Sequence, residues 1–220
     1  MKINQAQLIE DITRLVIAEL QNHQLIEKTK KTHVPVSISA RHLHLQGEHV
    51  EELFGAGYQL TNFKEISQPG QYACNEKVTL KGPKGMIENV RVLGPLRKQT
   101  QVEISMTDAR KLGVNPPVRH SGELAGSASL TLIGPKGTVI LEEGCIIADR
   151  HIHMTPKDAL AFGVKDKQKV SVLVEGVKGG VMGEVTIRVN ERYGLDMHID
   201  TDDANAFNLK GNEQLKIIVD

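Results

Sequence analysis

The chain contains no tryptophan, and only four phenylalanines and three tyrosines among its 220 residues. Stacking platforms for single-stranded nucleic acid are built from aromatic rings, so the composition argues against that mode of binding. Charge of one sign is missing as well: 27 lysines and arginines balance 27 aspartates and glutamates. A neutral chain carries no electrostatic footprint for a polyanion. The two cysteines, Cys74 and Cys145, lie far apart; that is no disulfide framework and suits a reducing compartment. No apolar run approaches the ~20 residues that span a bilayer, and the N-terminus lacks the apolar stretch of a secretory signal. A cytoplasmic protein with neither nucleic acid nor membrane as partner is expected.

What is present is 40% apolar and 25% charged residues, enough for one large domain or two small ones with a real core. Residues 3–21, INQAQLIEDITRLVIAELQ, predict an amphipathic helix. Leu8, Ile12, Leu15 and Val16 form its stripe, widened by Ile9 and Leu20. Such a stripe packs on its own domain or a second subunit, or serves as a detachable address for a partner protein. A polar linker runs to His33, and from Val34 onward the chain alternates in short strands such as VPVSISA, KVTLKG, TQVEIS and EVTIRV. Gly-Pro-Lys-Gly occurs at 82–85 and 134–137, each time between two strands. It reads as a hairpin turn with proline at the first corner and glycine free to take positive φ. TPKDALAFG offers a helix capped by Thr155, with Pro156 and Asp158 in its first turn and Gly163 as terminator. MTDARKLG and DTDDANAFN predict two more, with Thr or Asp at their starts. Many short strands with few short helices predict a mainly β protein built as small barrels.

The nine histidines are not scattered evenly. Arg-His-apolar-His-apolar occurs twice, in ARHLHL around His42 and His44 and in DRHIHM around His151 and His153. Placing the two in register also matches Arg97 with Arg192, Glu103 with His198, and Asp108 with Asp203, so the chain is read as an internal duplication. On a strand, residues i and i+2 share a face at roughly 6–7 Å. Two imidazoles can then converge on one cation, whereas a helix would aim them apart. With a third ligand from a second strand, His42, His44 and Glu103 make one set and His151, His153 and His198 the other. Three protein ligands leave zinc an open position, as catalytic sites do; iron, cobalt or nickel would also suit imidazole and carboxylate. A single His-x-His strand is commonly only packing or surface; two in register, each preceded by arginine, point to metal. His23, His33, His49 and His120 have no counterpart and are expected to be solvated.

Arg97 and Arg192 each stand six residues before a third ligand, placed to clamp a phosphate beside the metals. Arg97 has no acidic neighbour nearby in sequence and is the phosphate candidate; Arg192 follows Glu191, which leaves a structural role open to it. Cys74 offers a rival route through an acyl-cysteine, although no His or Asp accompanies it in sequence. Cys145 reads as core.

These segments, with SQPGQYACNEKVTLKGPKG, NVRVLGPLRKQTQVEISMTDARKLG, IADRHIHMTPKDAL and LDMHIDTDDAN, resemble the PduL-type phosphate propanoyltransferases, the phosphotransacylases of bacterial microcompartments. The resemblance runs from about Val34 to Val219. It implies exchange of CoA for phosphate on a short acyl group. It also implies two six-stranded β-barrels with short capping helices and two zinc ions per chain. One barrel would join residues 32–40 to 149–220, the other would use 41–148, and residues 1–31 would form a helix and linker suited to encapsulation. The implied ligands are again His42, His44, Glu103, His151, His153 and His198, with Arg97 on phosphate. Implied CoA contacts fall on Ile38, Ser39, Ala40, Lys84, Arg91 and Asn205. Acyl-CoA, CoA and phosphate are the implied small molecules, with shell or cargo proteins and a homo-oligomer as macromolecular partners. Two rival readings are a dimetal hydrolase and a non-catalytic metal-binding barrel. The first sits poorly on a chain this short, because the amidohydrolase His-x-His belongs to a (β/α)₈ barrel of ~250 residues.

Overall fold

The computed structural model describes residues 5–22 and 31–219. The molecule is mainly β, with five helices and fourteen strands among the described residues. The first helix, α1 (Gln5–Asn22), carries the predicted stripe, but the stripe faces solvent: Leu15 is 71% exposed and Ile9 60%. Among the described residues, nothing therefore covers this stripe. Linker residues 23–30, with His23, lie outside the described residues.

Two closed barrels follow. In one, β1 (His33–Ser39), β13 (Asp196–Asp200), β10 (His151–Met154), β12 (Gly180–Val189), β11 (Lys169–Val174) and β14 (Gln214–Ile218) pair in a ring. In the other the ring is β9 (Thr138–Ala148), β6 (Gln101–Glu103), β2 (His42–His44), β5 (Met86–Gly94), β4 (Tyr72–Lys81) and β8 (Ala128–Ile133). Written in that order the rings correspond strand for strand, including direction: β2 runs parallel to β5 and antiparallel to β6, as β10 does to β12 and β13. The duplication seen in the sequence is thus a duplication of the barrel. Two strands without counterparts, β3 (Asn62–Glu65) and β7 (Val118–Arg119), extend the second barrel on β4 and β9.

The halves exchange a strand. β1 belongs to the first barrel and hands the chain at Ala40–Arg41 to β2 of the second; β9 belongs to the second and hands it at Asp149–Arg150 to β10 of the first. Both Arg-His-x-His segments are these crossings. Each barrel has its own apolar core, with Leu43 fully buried in one and Ile152 in the other. Period 2 explains the pattern: the residue between the histidines turns into the barrel, and the histidines turn out of it to line a cleft.

Short helices cap the barrels. α4 (Pro156–Phe162) starts at Thr155, whose hydroxyl accepts from the Asp158 amide while the Asp158 carboxylate accepts from the Thr155 amide, and ends at Gly163 with φ +73°. Its Phe162 is 1% exposed, a burial that contributes roughly 1.5–3 kcal/mol. α3 (Met106–Leu112) is capped by Ser105 rather than a threonine, and α5 (Thr201–Phe207) by Asp200. A fifth helix, α2 (Gly47–Phe54), was not expected from the sequence; it stands after β2 as α4 stands after β10. Both Gly-Pro-Lys-Gly segments are hairpin turns, closed by the Gly82 amide to the Gly85 carbonyl and the Gly134 amide to the Gly137 carbonyl, each 2.9 Å. Positive φ is not why glycine is needed there. A Cβ on Gly82 would lie 2.3 Å from the Leu112 carbonyl oxygen, and one on Gly134 2.4 Å from that of Leu53. Each turn presses on a helix end, and the Lys84 and Lys136 amides cap those same carbonyls at 2.9 and 3.0 Å.

Candidate metal centre

Both ligand sets form. In β2 and β6, His42 is the register partner of Glu103; in β10 and β13, His151 is the partner of His198. Within each triad one ligand atom per residue lies within 4.8 Å of the others. His151 Nε2 is 3.1 Å from His153 Nε2, and His42 Nε2 is 3.5 Å from a Glu103 oxygen. Tetrahedral zinc with bonds near 2.0–2.1 Å holds its ligands about 3.3–3.5 Å apart, so these spacings fit. All six side chains line one cleft of about 910 Å³ between the barrels.

Second contacts set the tautomers. His42 Nδ1 lies 2.9 Å from the Ala40 carbonyl and His151 Nδ1 2.7 Å from that of Asp149. A carbonyl only accepts, so Nδ1 carries the proton and Nε2 presents its lone pair to the cleft. His198 turns its Nε2 to Asp196 Oδ2 at 3.1 Å and Ser67 Oγ at 3.2 Å, and Gln101 donates to Glu103. Nδ1 of His44 and of His153 are buried without any hydrogen-bond partner. The donor set itself, buried imidazole nitrogens and a carboxylate gathered at these spacings, is the one a divalent cation takes.

Electrostatics prepares the same state. Burial, then Arg97 and His42, push His44 down to about 2. Burial, then His151 and His198, push His153 down to about 2, and burial lowers His151 as well. Burial alone would raise the Glu103 carboxyl, but His42, His44 and Arg97 outweigh it and hold the acid ionised. At neutral pH His44, His151 and His153 are therefore unprotonated and Glu103 is a carboxylate, the forms that bind metal.

The two motif arginines hold the crossings. Arg41 makes a two-pronged bridge to Asp108 at 2.8 Å on both prongs, and Arg150 makes the same bridge to Asp203 at 2.9 and 2.7 Å. Asp108 and Asp203 sit in the first turns of α3 and α5, so each bridge ties a crossing to a helix start. The paired Asp108 and Asp203 of the repeat are explained by this.

Arg97 lies in the β5–β6 connection, half-buried, lines the cleft and donates to Ser121 Oγ at 3.0 Å. Arg192 is exposed and does not line it. Ile38, Ser39, Ala40 and Arg91 line the cleft; Lys84 stands outside the lining on the β4–β5 turn and Asn205 outside it on α5. Arg91 is steadied by the Cys74 carbonyl at 2.7 Å and lies 4.9 Å over the Phe63 ring. Sequence reasoning missed Arg188, Tyr193 and Lys64, which also line the cleft. Cys74 is fully buried and burial pushes its thiol up to about 11, which removes it as a nucleophile; Cys145 is core, its thiol at about 12 for the same reason. Three of the histidines expected to be solvated have a side-chain partner at 2.8 Å: His49 Nδ1 meets Thr100 Oγ1, His120 Nδ1 meets Asp149 Oδ2, and the exposed His33 meets Thr32 Oγ1.

A family model for phosphate propanoyltransferase matches residues 35–210. A phosphate propanoyltransferase of Thermotoga maritima is 54% identical over 89% of this chain and 93% of its own length. One from Lachnoclostridium phytofermentans is 55% identical over 90% and 92%, and one from Rhodobacter capsulatus 50% identical over 94% and 96%. The chain belongs to the phosphate propanoyltransferase family. As a member of that family it is an acyltransferase enzyme, and the cleft between its barrels is the place where the histidines of both Arg-His-x-His repeats meet. No helix among the described residues is long and apolar enough to cross a membrane.

Proposed function

We propose that the cleft exchanges CoA and phosphate on a short acyl group: acyl-CoA plus phosphate gives acyl phosphate plus CoA. The observation that carries this reading is the convergence of two ligand triads and the half-buried Arg97 on one cleft. It is supported by the relatives, which are named phosphate propanoyltransferases. His42, His44 and Glu103 would hold one zinc, and His151, His153 and His198 a second. Bound there, the metals supply Lewis acidity to the thioester, to the leaving thiolate and to phosphate.

The chain's own residues do the rest. Arg97 orients phosphate so that its oxygen attacks the thioester carbonyl directly, and no side chain carries the acyl group. The carbonyl carbon gains the phosphate oxygen and loses the CoA sulfur. Contacts to CoA are proposed for Ile38, Ser39, Ala40 and Arg91 along the cleft and, beyond its lining, for Lys84 and Asn205. The exposed stripe of α1 supports docking on a shell or cargo protein of a microcompartment.

Thiol release from propanoyl-CoA tests the reaction. The transferase releases thiol only when phosphate is present. Release without phosphate would mean a hydrolase, and no release with both substrates and zinc supplied would mean a binding protein.

A further inference from the structure

Besides Arg91, three arginines line the cleft, Arg41, Arg97 and Arg188, and a fourth, Arg150, stands on its second motif segment; the structure divides these four sharply. Arg41 and Arg150, the repeated pair, are neutralised by Asp108 and Asp203. Arg97 and Arg188 form no ion pair with any carboxylate among the described residues, yet both line the cleft. Arg97 comes from the second barrel and Arg188 from β12 of the first.

The position of Arg188 is well determined. It is the register partner of the ligand His153 across the parallel β10–β12 ladder, so the two side chains leave the same face one strand spacing apart, about 4.8 Å. Its guanidinium carbon stands 6.0 Å over the Tyr193 ring, and that ring packs edge-on against His153 at 4.4 Å. The positive charge of Arg188 is felt at Arg97, His151 and His153. Glu103, on the same cleft, offsets part of the charge of Arg97, but neither guanidinium has a paired carboxylate among the described residues, so both keep their forks free for an anion. Guanidinium forks suit the oxygens of a tetrahedral oxyanion better than any other side chain.

We propose that Arg188 is a second phosphate-binding residue, and that Arg97 and Arg188 grip the attacking phosphate from opposite barrels beside the His151–His153–His198 triad. The inference rests on the phosphotransacylase reading, and it adds that the nucleophile is held by both halves of the duplication. The duplication itself does not supply this arginine: the position equivalent to Arg188 in the other half is Leu93, the register partner of His44.

The test compares the zinc-loaded wild type with Arg188→Ala and Arg188→Lys, using inorganic phosphate as the varied reactant and propanoyl-CoA as the other. Removing one charged two-pronged contact is expected to raise the KM for phosphate roughly tenfold to a hundredfold, with the KM for propanoyl-CoA within about twofold. Lysine keeps the charge and loses the fork, so it should fall between. Independently of turnover, phosphate should raise the melting temperature of the wild type and raise it less in both variants. An unchanged phosphate KM and an unchanged phosphate-induced melting shift would overturn the proposal. A rise confined to the propanoyl-CoA KM would overturn it too, by placing Arg188 on the thioester. Should Arg188→Ala not fold, Arg188→Lys alone decides by the same two readouts. Failure of the underlying reaction would look different, because the wild type itself would then show no phosphate-dependent thiol release.

Discussion

At the scale of single residues, the centre is governed by burial. His44 and His153 are pushed to about 2 because each lies inside the protein among other cationic or imidazole groups. In the unfolded chain both return to the ordinary value of 6.5. Below pH 6.5 the unfolded chain therefore takes up protons that the metal-free folded protein refuses, and stability falls as pH falls, by up to ~1.4 kcal/mol per pH unit for each group. The depressed Glu103 acts with the same sign at lower pH. Chelator-treated protein should thus denature at lower urea at pH 5 than at pH 7, and a midpoint that holds steady across that interval would contradict the assignment of neutral buried imidazoles. Arg97 has a different signature. Arg97→Ala should raise the phosphate KM by at least about tenfold, the worth of a charge-assisted contact, while metal content stays at the wild-type value.

The same residues show what a sequence reveals and what it conceals. His42, His44, His151 and His153 were legible as a cluster because a strand's period of two puts both histidines of each repeat on one face and buries the apolar residue between them. Glu103 and His198 followed from register within the repeat. Arg188 was hidden for the same reason: the duplication pairs its site with Leu93, so repeat logic pointed instead to Arg192, which is exposed. The roles of Arg41 and Arg150 needed the partner helices in place, since Asp108 and Asp203 lie 67 and 53 residues away in sequence.

At the scale of elements, the crossings and turns do the positioning. Alternation made nearly every barrel strand visible. β3 escaped notice because all four of its residues are exposed on an added edge. α2 escaped because Gln46 gives it no side-chain cap; its only signal was its place after the histidines, where the well-capped α4 stands in the other half. The Gly-Pro-Lys-Gly turns were recognised as hairpins, but the reason for glycine lay in the third dimension, where helix-end carbonyls approach within a side chain's radius. Gly134→Ala and Gly82→Ala should each cost about 1–3 kcal/mol, because the added methyl meets backbone that cannot yield cheaply. Urea denaturation measures this; a loss below about 0.5 kcal/mol at both sites would show that the turns do not bear on α2 and α3 as described.

At the scale of the whole molecule, two barrels that exchange strands place both Arg-His-x-His segments on their shared seam. One triad has a carboxylate and two imidazoles, the other three imidazoles with Asp196 behind His198. The halves are alike in architecture and different in charge, which suits a reaction whose two partners are a thioester and an oxyanion. Each triad lies within one barrel, but each barrel is completed by a strand from the other repeat: β1 lies beside His198's strand, and β9 beside that of Glu103.

The central claim is that each triad holds one metal ion, and counting metal per chain in purified protein tests it most directly. The account predicts about two zinc atoms in the wild type, one in His42→Ala and one in His151→Ala, with phosphate-dependent thiol release lost in both variants and on chelation. Protein that keeps full activity after chelators have stripped it, or variants that retain the wild-type metal count, would contradict it.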